Sequence, residues 1–198
     1  MTPLLPSVPP REDRHLVVFL GNSITAGYGL DPRQAFPALV QESWMERGLA
    51  WRAANEGISG DRTDDVLARL HASRGPRAEL TIVEIGANDA FWAVPVPQIE
   101  ANLARIIRIL RDGGSRVALA AMWFDDWFLP AGPEYAREFN GLYERVGGAE
   151  GVPVLPPLLR SLFPEPGAWL PDGIHPTAAG HVLIARDLLG DLNPEWRE

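Results

Sequence analysis

The sequence lacks cysteine and lysine altogether, and all 18 of its basic residues are arginine. Without cysteine the chain can form no disulfide, no thiol nucleophile and no cysteine-ligated metal site. Without lysine it can form neither a Schiff base nor the lysine contact of a phosphate-binding P-loop. The formal net charge of −8 and the isoelectric point of about 5.0 disfavour a nucleic acid as partner.

The sequence also lacks a long apolar run. Its longest, residues 117–124, is far shorter than the roughly 20 residues that span a bilayer, so we expect no membrane span. Residues 1–13 contain four prolines and no secretory signal pattern. We therefore expect a flexible proline-rich leader over 1–13, one domain over 14–192 and a tail over 193–198. The expected location is cytoplasmic, with export only where a signal peptide has been removed.

Short apolar runs alternate with helical patterns along the chain. Residues 15–20, 80–85 and 116–122 lack polar alternation, which is typical of parallel strands buried on both faces. Residues 51–54 and 152–155 are weaker strand candidates.

The segments between the strand candidates show helical periodicity. Apolar residues recur on one helix face from Ile99 to Leu110, and similar stripes lie at 36–44, 66–70, 182–188 and, as one helix, from Tyr135 to Val146. Five β-α units joined by right-handed crossovers predict an α/β fold, a three-layer α/β/α sandwich around a five-stranded parallel sheet. Ligands bind such sheets beyond the carboxyl ends of the strands, so motifs that follow strands carry the functional information.

Three segments rich in Gly, Asn, Asp and Ser follow strand candidates, and a fourth precedes the last helix. They are Gly21-Asn22-Ser23-Ile24-Thr25, Ser59-Gly60-Asp61, Gly86-Ala87-Asn88-Asp89 and, before the last helix, Asp172-Gly173-Ile174-His175-Pro176. Any one of them alone is compatible with a simple turn. Their arrangement at one end of one sheet predicts a site.

Ser23 and His175 are the candidates for nucleophilic catalysis. A hydroxyl nucleophile needs a base within hydrogen-bond reach, and the base needs a group that fixes its tautomer. Of the four histidines, His175 alone lies in a loop with a carboxylate, Asp172, three residues before it. The spacing leaves open that Asp172 and Gly173 form a simple turn and that His175 is a solvated loop residue.

In order, the four segments resemble the sequence blocks of the SGNH (GDSL-type) hydrolases, a family named after its catalytic Ser, Gly, Asn and His. The resemblance covers nearly the whole chain. It implies the flavodoxin-like fold of that family, catalysis without a cofactor or metal, and a triad of Ser23, Asp172 and His175. It also implies an oxyanion hole formed by the backbone N–H groups of Ser23 and Gly60 and by the Asn88 side chain.

The first block departs from the family pattern, because Asn22 stands where the family normally has aspartate. Asparagine keeps the size and one acceptor oxygen but loses the charge. We expect the local hydrogen bonds to survive and the electrostatics beside Ser23 to change.

Other signatures fail. Thr25 breaks the Gly-x-Ser-x-Gly pattern of α/β-hydrolases, and Gly27-Tyr28-Gly29 lacks the third glycine of a dinucleotide loop. Asp125-Asp126 could suggest a metal, but its aromatic flanks favour a loop beside a pocket.

Two aromatic segments follow the third and fourth strand candidates. We expect them to line an apolar cleft, although packing at the strand ends is an alternative for some of them. The candidate pocket residues are Phe91, Trp92, Val94, Trp123, Phe124 and Trp127.

Within the family, the chain most resembles the small bacterial arylesterase, thioesterase and lysophospholipase group. This implies a small-molecule substrate, a short- to medium-chain carboxylic ester. A carbohydrate O-acetylesterase shares the same blocks and is the alternative enzyme. A catalytically silent ligand-binding module is the alternative outside enzymes.

Overall fold

The computed structural model describes residues 15–73 and 78–192. The predicted leader (1–13) and tail (193–198) lie outside the described residues. No helix within the described ranges is long and apolar enough to cross a membrane.

A five-stranded, fully parallel sheet forms the centre of the fold, in the order β2-β1-β3-β4-β5. This order is the one typical of flavodoxin-like folds. The strands are β1 (His15–Gly21), β2 (Trp51–Gly57), β3 (Leu80–Glu84), β4 (Arg116–Ala120) and β5 (Val154–Leu155). Gly21 pairs with Gly57 on one side and Glu84 on the other, so three strands end level with one another.

Helices cover both faces of this sheet, as shown by β3, which is buried at every residue. The helices are α1 (Ser23–Ala26), α2 (Phe36–Glu46), α3 (Thr63–Ser73), α4 (Ala87–Phe91), α5 (Val96–Asp112), α6 (Pro133–Asn140), α7 (Leu142–Glu150) and α8 (Ala178–Asp191). Helix α2 packs against α8, while α5 packs against α3 and α7. These two groups are the outer layers, and the predicted α/β fold is confirmed.

Strands β3, β4 and β5 are shorter than predicted, and two further details differ from the sequence prediction. The stripe from Tyr135 to Val146 belongs to two helices, α6 and α7, which are separated at Gly141. Strand β2 continues to Gly57, past the predicted end at residue 54, although its later residues Asn55 and Glu56 are polar. Because β2 is an edge strand, these polar side chains remain accessible, and hydrophobicity alone could not reveal the extension.

Candidate active site

Ser23 lies in the turn directly after the inner strand β1 and opens the short helix α1. Asn22 caps this helix, since its Oδ1 accepts a hydrogen bond from the Ile24 N–H at 2.9 Å. The N–H of Ile58, just after β2, donates to the Gly21 carbonyl at 3.0 Å. The serine is therefore held at the carboxyl end of the sheet, where it is 8% exposed.

Asp172, His175 and Ser23 form one hydrogen-bonded chain. Asp172 Oδ2 lies 2.8 Å from His175 Nδ1, and His175 Nε2 lies 3.0 Å from Ser23 Oγ. Gly173 has a φ of 67°, a left-handed conformation that closes the turn and allows Asp172 to fold back. The backbone N–H and the imidazole of His175, followed by the Ile174 N–H, donate to Asp172 and lower the pKa of its carboxyl to about 2. The carboxylate therefore stays ionised and holds the ring with Nε2 directed at the serine.

The remaining histidines lie elsewhere. His15 pairs with Glu79 before β3, and His71 is exposed on α3. His181 is buried in α8, where burial lowers its pKa to about 4 and its Nδ1 accepts from the Phe36 N–H. A neutral, buried imidazole of this kind has a structural role.

Tyr28 covers His175, and the sequence analysis missed it. The two rings are 4.3 Å apart between centroids and tilted by 30°, close to stacking. Gly27, with a φ of 79°, turns the chain out of α1 and brings the tyrosine back over the histidine. A tyrosine soon after the serine was visible in the sequence, but its pairing with a loop about 150 residues away along the chain was not.

The groups that the sequence predicts as oxyanion donors have unused hydrogen-bonding capacity. No described residue accepts a hydrogen bond from the backbone N–H of Ser23 or of Gly60. The Asn88 amide donates one hydrogen to the Asp61 carbonyl at 2.8 Å, which leaves its second hydrogen free.

Hydrogen bonds join the Asn88 segment to the Gly60 segment. The Asp89 carboxylate accepts from the Thr63 N–H at 2.9 Å and from the Thr63 hydroxyl at 2.6 Å. These bonds fix the start of α3 against α4, and with it the orientation of Asn88.

A buried carboxylate, which the sequence analysis did not single out, lies behind the serine. Glu84, at the end of β3, accepts from Asn22 Nδ2 at 2.9 Å and from the Thr25 hydroxyl at 2.8 Å. Burial raises the pKa of Glu84 to about 7, against the lowering effect of these hydrogen bonds. The only sequence signal was one acidic residue in a mostly apolar strand candidate.

A cavity of about 480 Å³ opens over the serine. Ser23, Asn88 and His175 face it, as do four of the predicted pocket residues, Phe91, Trp123, Phe124 and Trp127. Phe128, from the same aromatic segment, also lines the cavity, together with residues outside the predicted pocket: Met122, Leu159, Phe163, Trp169 and Ile174. These come from segments far apart along the chain, so only folding brings them together.

Among the described residues, two that the sequence predicts for the pocket do not line the cavity. Val94 is half-buried against the core, and its carbonyl accepts from the Tyr135 hydroxyl at 2.6 Å. Trp92 is at the end of α4 with 77% of its surface exposed. Successive residues of a helix point in different directions, and at the end of α4 it is Phe91 rather than Trp92 that faces the cavity.

Asn140 fixes the aromatic loop that follows β4. Its side chain accepts from the Phe124 N–H at 2.9 Å and donates to the Phe124 carbonyl at 2.8 Å. Phe124 stacks in turn on Phe128, with ring centroids 5.7 Å apart. The cavity wall is therefore preformed on this side.

The described residues contain no group of three or more His, Cys, Asp or Glu side chains that could hold a metal ion. Asp126, from the pair that could suggest a metal, forms a salt bridge with Arg137 at 3.0 Å.

Comparisons with known proteins agree with this architecture. The family model of the GDSL-like lipase/acylhydrolase family matches residues 19–183. The chain is 30% identical over 179 residues to Esterase TesA from Pseudomonas aeruginosa, covering 90% of this chain and 88% of that protein. It is 28% identical over 177 residues to an arylesterase from Vibrio mimicus, covering 89% and 87%.

Among solved structures, the chain matches the psychrotrophic esterase EstA from Pseudoalteromonas sp. with a TM-score of 0.86. That match has 19% identity and covers 93% of this chain and all of the other, so it supports the fold. The family and the relatives confirm the predicted enzyme class, a carboxylic ester hydrolase. The chain therefore belongs to the GDSL-like lipase/acylhydrolase family, the SGNH hydrolases that its four sequence blocks resemble.

Proposed function

We propose that the chain is a serine esterase that hydrolyses short- to medium-chain carboxylic esters through an acyl-enzyme, with Ser23, His175 and Asp172 as its catalytic triad. The observation that carries this proposal is the continuous hydrogen-bonded chain from Asp172 through His175 to Ser23, at the floor of an apolar cavity.

The geometry supports acylation with His175 as the general base for Ser23. Ser23 Oγ attacks the ester carbonyl carbon while His175 Nε2 takes its proton. The tetrahedral intermediate then collapses, the bond to the alcohol oxygen breaks, and His175 returns the proton to the departing alcohol. Asp172 stabilises the imidazolium that exists between these two steps.

Deacylation repeats the sequence with water. His175 takes a proton from a water molecule while the water oxygen attacks the acyl carbon. The bond from the acyl carbon to Ser23 Oγ then breaks, and His175 passes the proton to the serine oxygen. The carboxylic acid leaves and the enzyme is regenerated. Every proton is accounted for by Ser23, His175, the alcohol and water.

The oxyanion of both intermediates would be bound by the Ser23 and Gly60 N–H groups and by the Asn88 amide. These donors are held in place before substrate arrives, the Asn88 amide by its bond to the Asp61 carbonyl. Preorganised donors contribute most when charge develops, because they need no rearrangement at that moment.

The cavity favours an acyl chain over a sugar. Its lining is mostly aromatic and aliphatic, and among the described residues its polar members are few: Asn22, Ser23, Asn88, Asp125 and His175. Each buried methylene contributes about 0.8 kcal/mol, so such a cavity distinguishes acyl chains by length until it is full. We expect p-nitrophenyl esters of C2 to C8 acids to be cleaved, with butyrate or longer preferred over acetate.

Two measurements test this function. Ser23→Ala should abolish ester hydrolysis and labelling by a fluorophosphonate probe, with losses of about 10⁴ to 10⁶ in kcat, and His175→Ala should lose a similar factor. Ser43→Ala in α2 is the matched control and should retain activity. Unlabelled wild-type protein would instead indicate a ligand-binding module. Acetate strongly preferred over longer acids, with acetylated sugars better than aryl esters, would indicate a carbohydrate O-acetylesterase.

A further inference from the structure

Glu84 is a buried acid whose only hydrogen-bonding partners among the described side chains are two uncharged donors. Its side chain is 1% exposed, and Asn22 Nδ2 and Thr25 Oγ1 each donate to one carboxylate oxygen. Neither partner is a cation, so no ion pair offsets the cost of removing the carboxylate from water. An acid placed at such a cost in a core strand calls for a role that an apolar residue could not fill.

The two donors flank the serine. Asn22 precedes Ser23 and caps α1 through its other side-chain atom, Oδ1, whereas Thr25 follows two residues later. The Thr25 carbonyl also accepts from the Asn55 side chain at 2.8 Å. One carboxylate therefore anchors both ends of the turn that presents Ser23.

The space around this network is tight enough to make its geometry specific. A Cβ added at Gly21 would lie 2.2 Å from Thr25 Oγ1 and 2.8 Å from Glu84 Oε2. A Cβ added at Gly57 would lie 2.3 Å from the Ala26 nitrogen and 2.8 Å from the Asn22 carbonyl oxygen. The two glycines allow β1 and β2 to pack directly against the turn that presents Ser23.

We propose that Glu84 is a positioning residue for ester hydrolysis: its carboxylate fixes the Ser23 hydroxyl and N–H by accepting one hydrogen bond from each side of the serine, and Asn22 is the donor that this carboxylate requires. The inference rests on the proposed role of Ser23 as nucleophile. It assigns Glu84 no contact with substrate.

The polarity of the Asn22 contact explains why asparagine suits this position. A carboxylate at position 22 would face the Glu84 carboxylate across the same 2.9 Å with no hydrogen between them, unless one of the two took up a proton. Asparagine supplies the hydrogen at any pH and still presents Oδ1 to cap α1.

The first test compares two buried threonines. Thr25 and Thr81 are both 0% exposed, and each hydroxyl bonds one side chain, Glu84 in one case and Ser115 in the other. Thr25→Val should lower both kcat and the rate of fluorophosphonate labelling of Ser23 roughly 10-fold or more, because a small displacement of a nucleophile is costly. KM should change little. Thr81→Val should change neither kcat nor the labelling rate by more than about twofold.

Unfolding free energies measured for both variants separate positioning from stability. If Thr81→Val slowed labelling as much as Thr25→Val at equal loss of stability, or if Thr25→Val left the labelling rate unchanged, the positioning role would be overturned. Activity surviving in Ser23→Ala would instead refute the proposed function itself.

The second test exchanges the polarity of the Asn22–Glu84 contact at pH 8. In E84Q the introduced amide can accept from only one of the two donors, and in N22D two carboxylates face each other. In N22D/E84Q the amide nitrogen at position 84 donates to the carboxylate at position 22, while its oxygen still accepts from Thr25. We expect the double variant to recover kcat at least about fivefold over each single variant. A double variant as slow as the product of the two single losses would overturn the proposal.

Discussion

Replacing Glu84 with glutamine should increase the stability of the protein relative to wild type as the pH rises from 4.5 to 8. Burial raises the pKa of Glu84 from its ordinary 4.5 to about 7. Between these values the folded chain keeps a proton that the unfolded chain has lost, so the free energy of unfolding falls as the pH rises. Below pH 4.5 Glu84 is protonated in both the folded and the unfolded chain. Above pH 7 it is ionised in both, and the full cost of burying the carboxylate lowers the stability.

The interval between the two pKa values sets the magnitude. At about 1.4 kcal/mol for each pH unit, it corresponds to roughly 3 kcal/mol of stability that Glu84 costs above pH 7. In E84Q the side chain at position 84 does not titrate, and its altered hydrogen bonds shift the free energy of unfolding equally at every pH. The difference between E84Q and wild type should therefore grow by about 3 kcal/mol from pH 4.5 to pH 8.

Urea unfolding at half-unit pH steps measures this difference directly. Glu46→Gln at the exposed end of α2 is the matched control, because that side chain has no burial to relieve. A difference between E84Q and wild type that stayed constant across the range would show that the folded state does not hold the Glu84 proton, and the reasoning would fail. Combined with the slower catalysis expected of E84Q, a rising difference would mean that this residue lowers stability and serves activity.

Three further predictions concern the site. Asn88→Ala should lower kcat by roughly 10² to 10³ with little change in KM, because the amide acts once charge develops on the oxygen, and a pure KM effect would make it a ground-state contact. Tyr28→Ala should lower kcat severalfold, because His175 loses the ring that restrains it, whereas Tyr28→Phe should retain activity; equal losses in both would assign the effect to the hydroxyl. Trp127 and Trp92 are 79% and 77% exposed, but only Trp127 lines the cavity. Trp127→Ala should therefore alter the ratio of kcat/KM between octanoate and acetate esters, whereas Trp92→Ala should leave it unchanged. Equal changes in both would place the acyl chain outside this cavity.

Much of the fold could be predicted from local patterns. Parallel strands covered on both faces are mostly apolar, and β3 and β4 appear in the sequence as largely apolar runs without polar alternation. The polar end of β2 could not be predicted from hydrophobicity, because an edge strand can keep Asn55 and Glu56 in contact with solvent.

The candidate catalytic residues could also be located in the sequence, because the blocks that resemble those of the SGNH family follow successive strands. Ser23 follows β1, Gly60 follows β2 and Asn88 follows β3, and all parallel strands end on the same side. Asp172 and His175 are three residues apart, so the contact between them is local and depends on a turn that Gly173 makes possible.

Contacts between distant segments were decided by the tertiary structure alone. The 3.0 Å approach of His175 to Ser23 joins residues 152 apart along the chain, and the contact of Glu84 with Asn22 spans 62. The sequence contains Trp92 and Trp127 as equivalent aromatic residues in loops, yet one lines the cavity and the other does not. Residue type and spacing determine which groups a segment can offer, whereas the direction in which each side chain points depends on how distant segments pack around it.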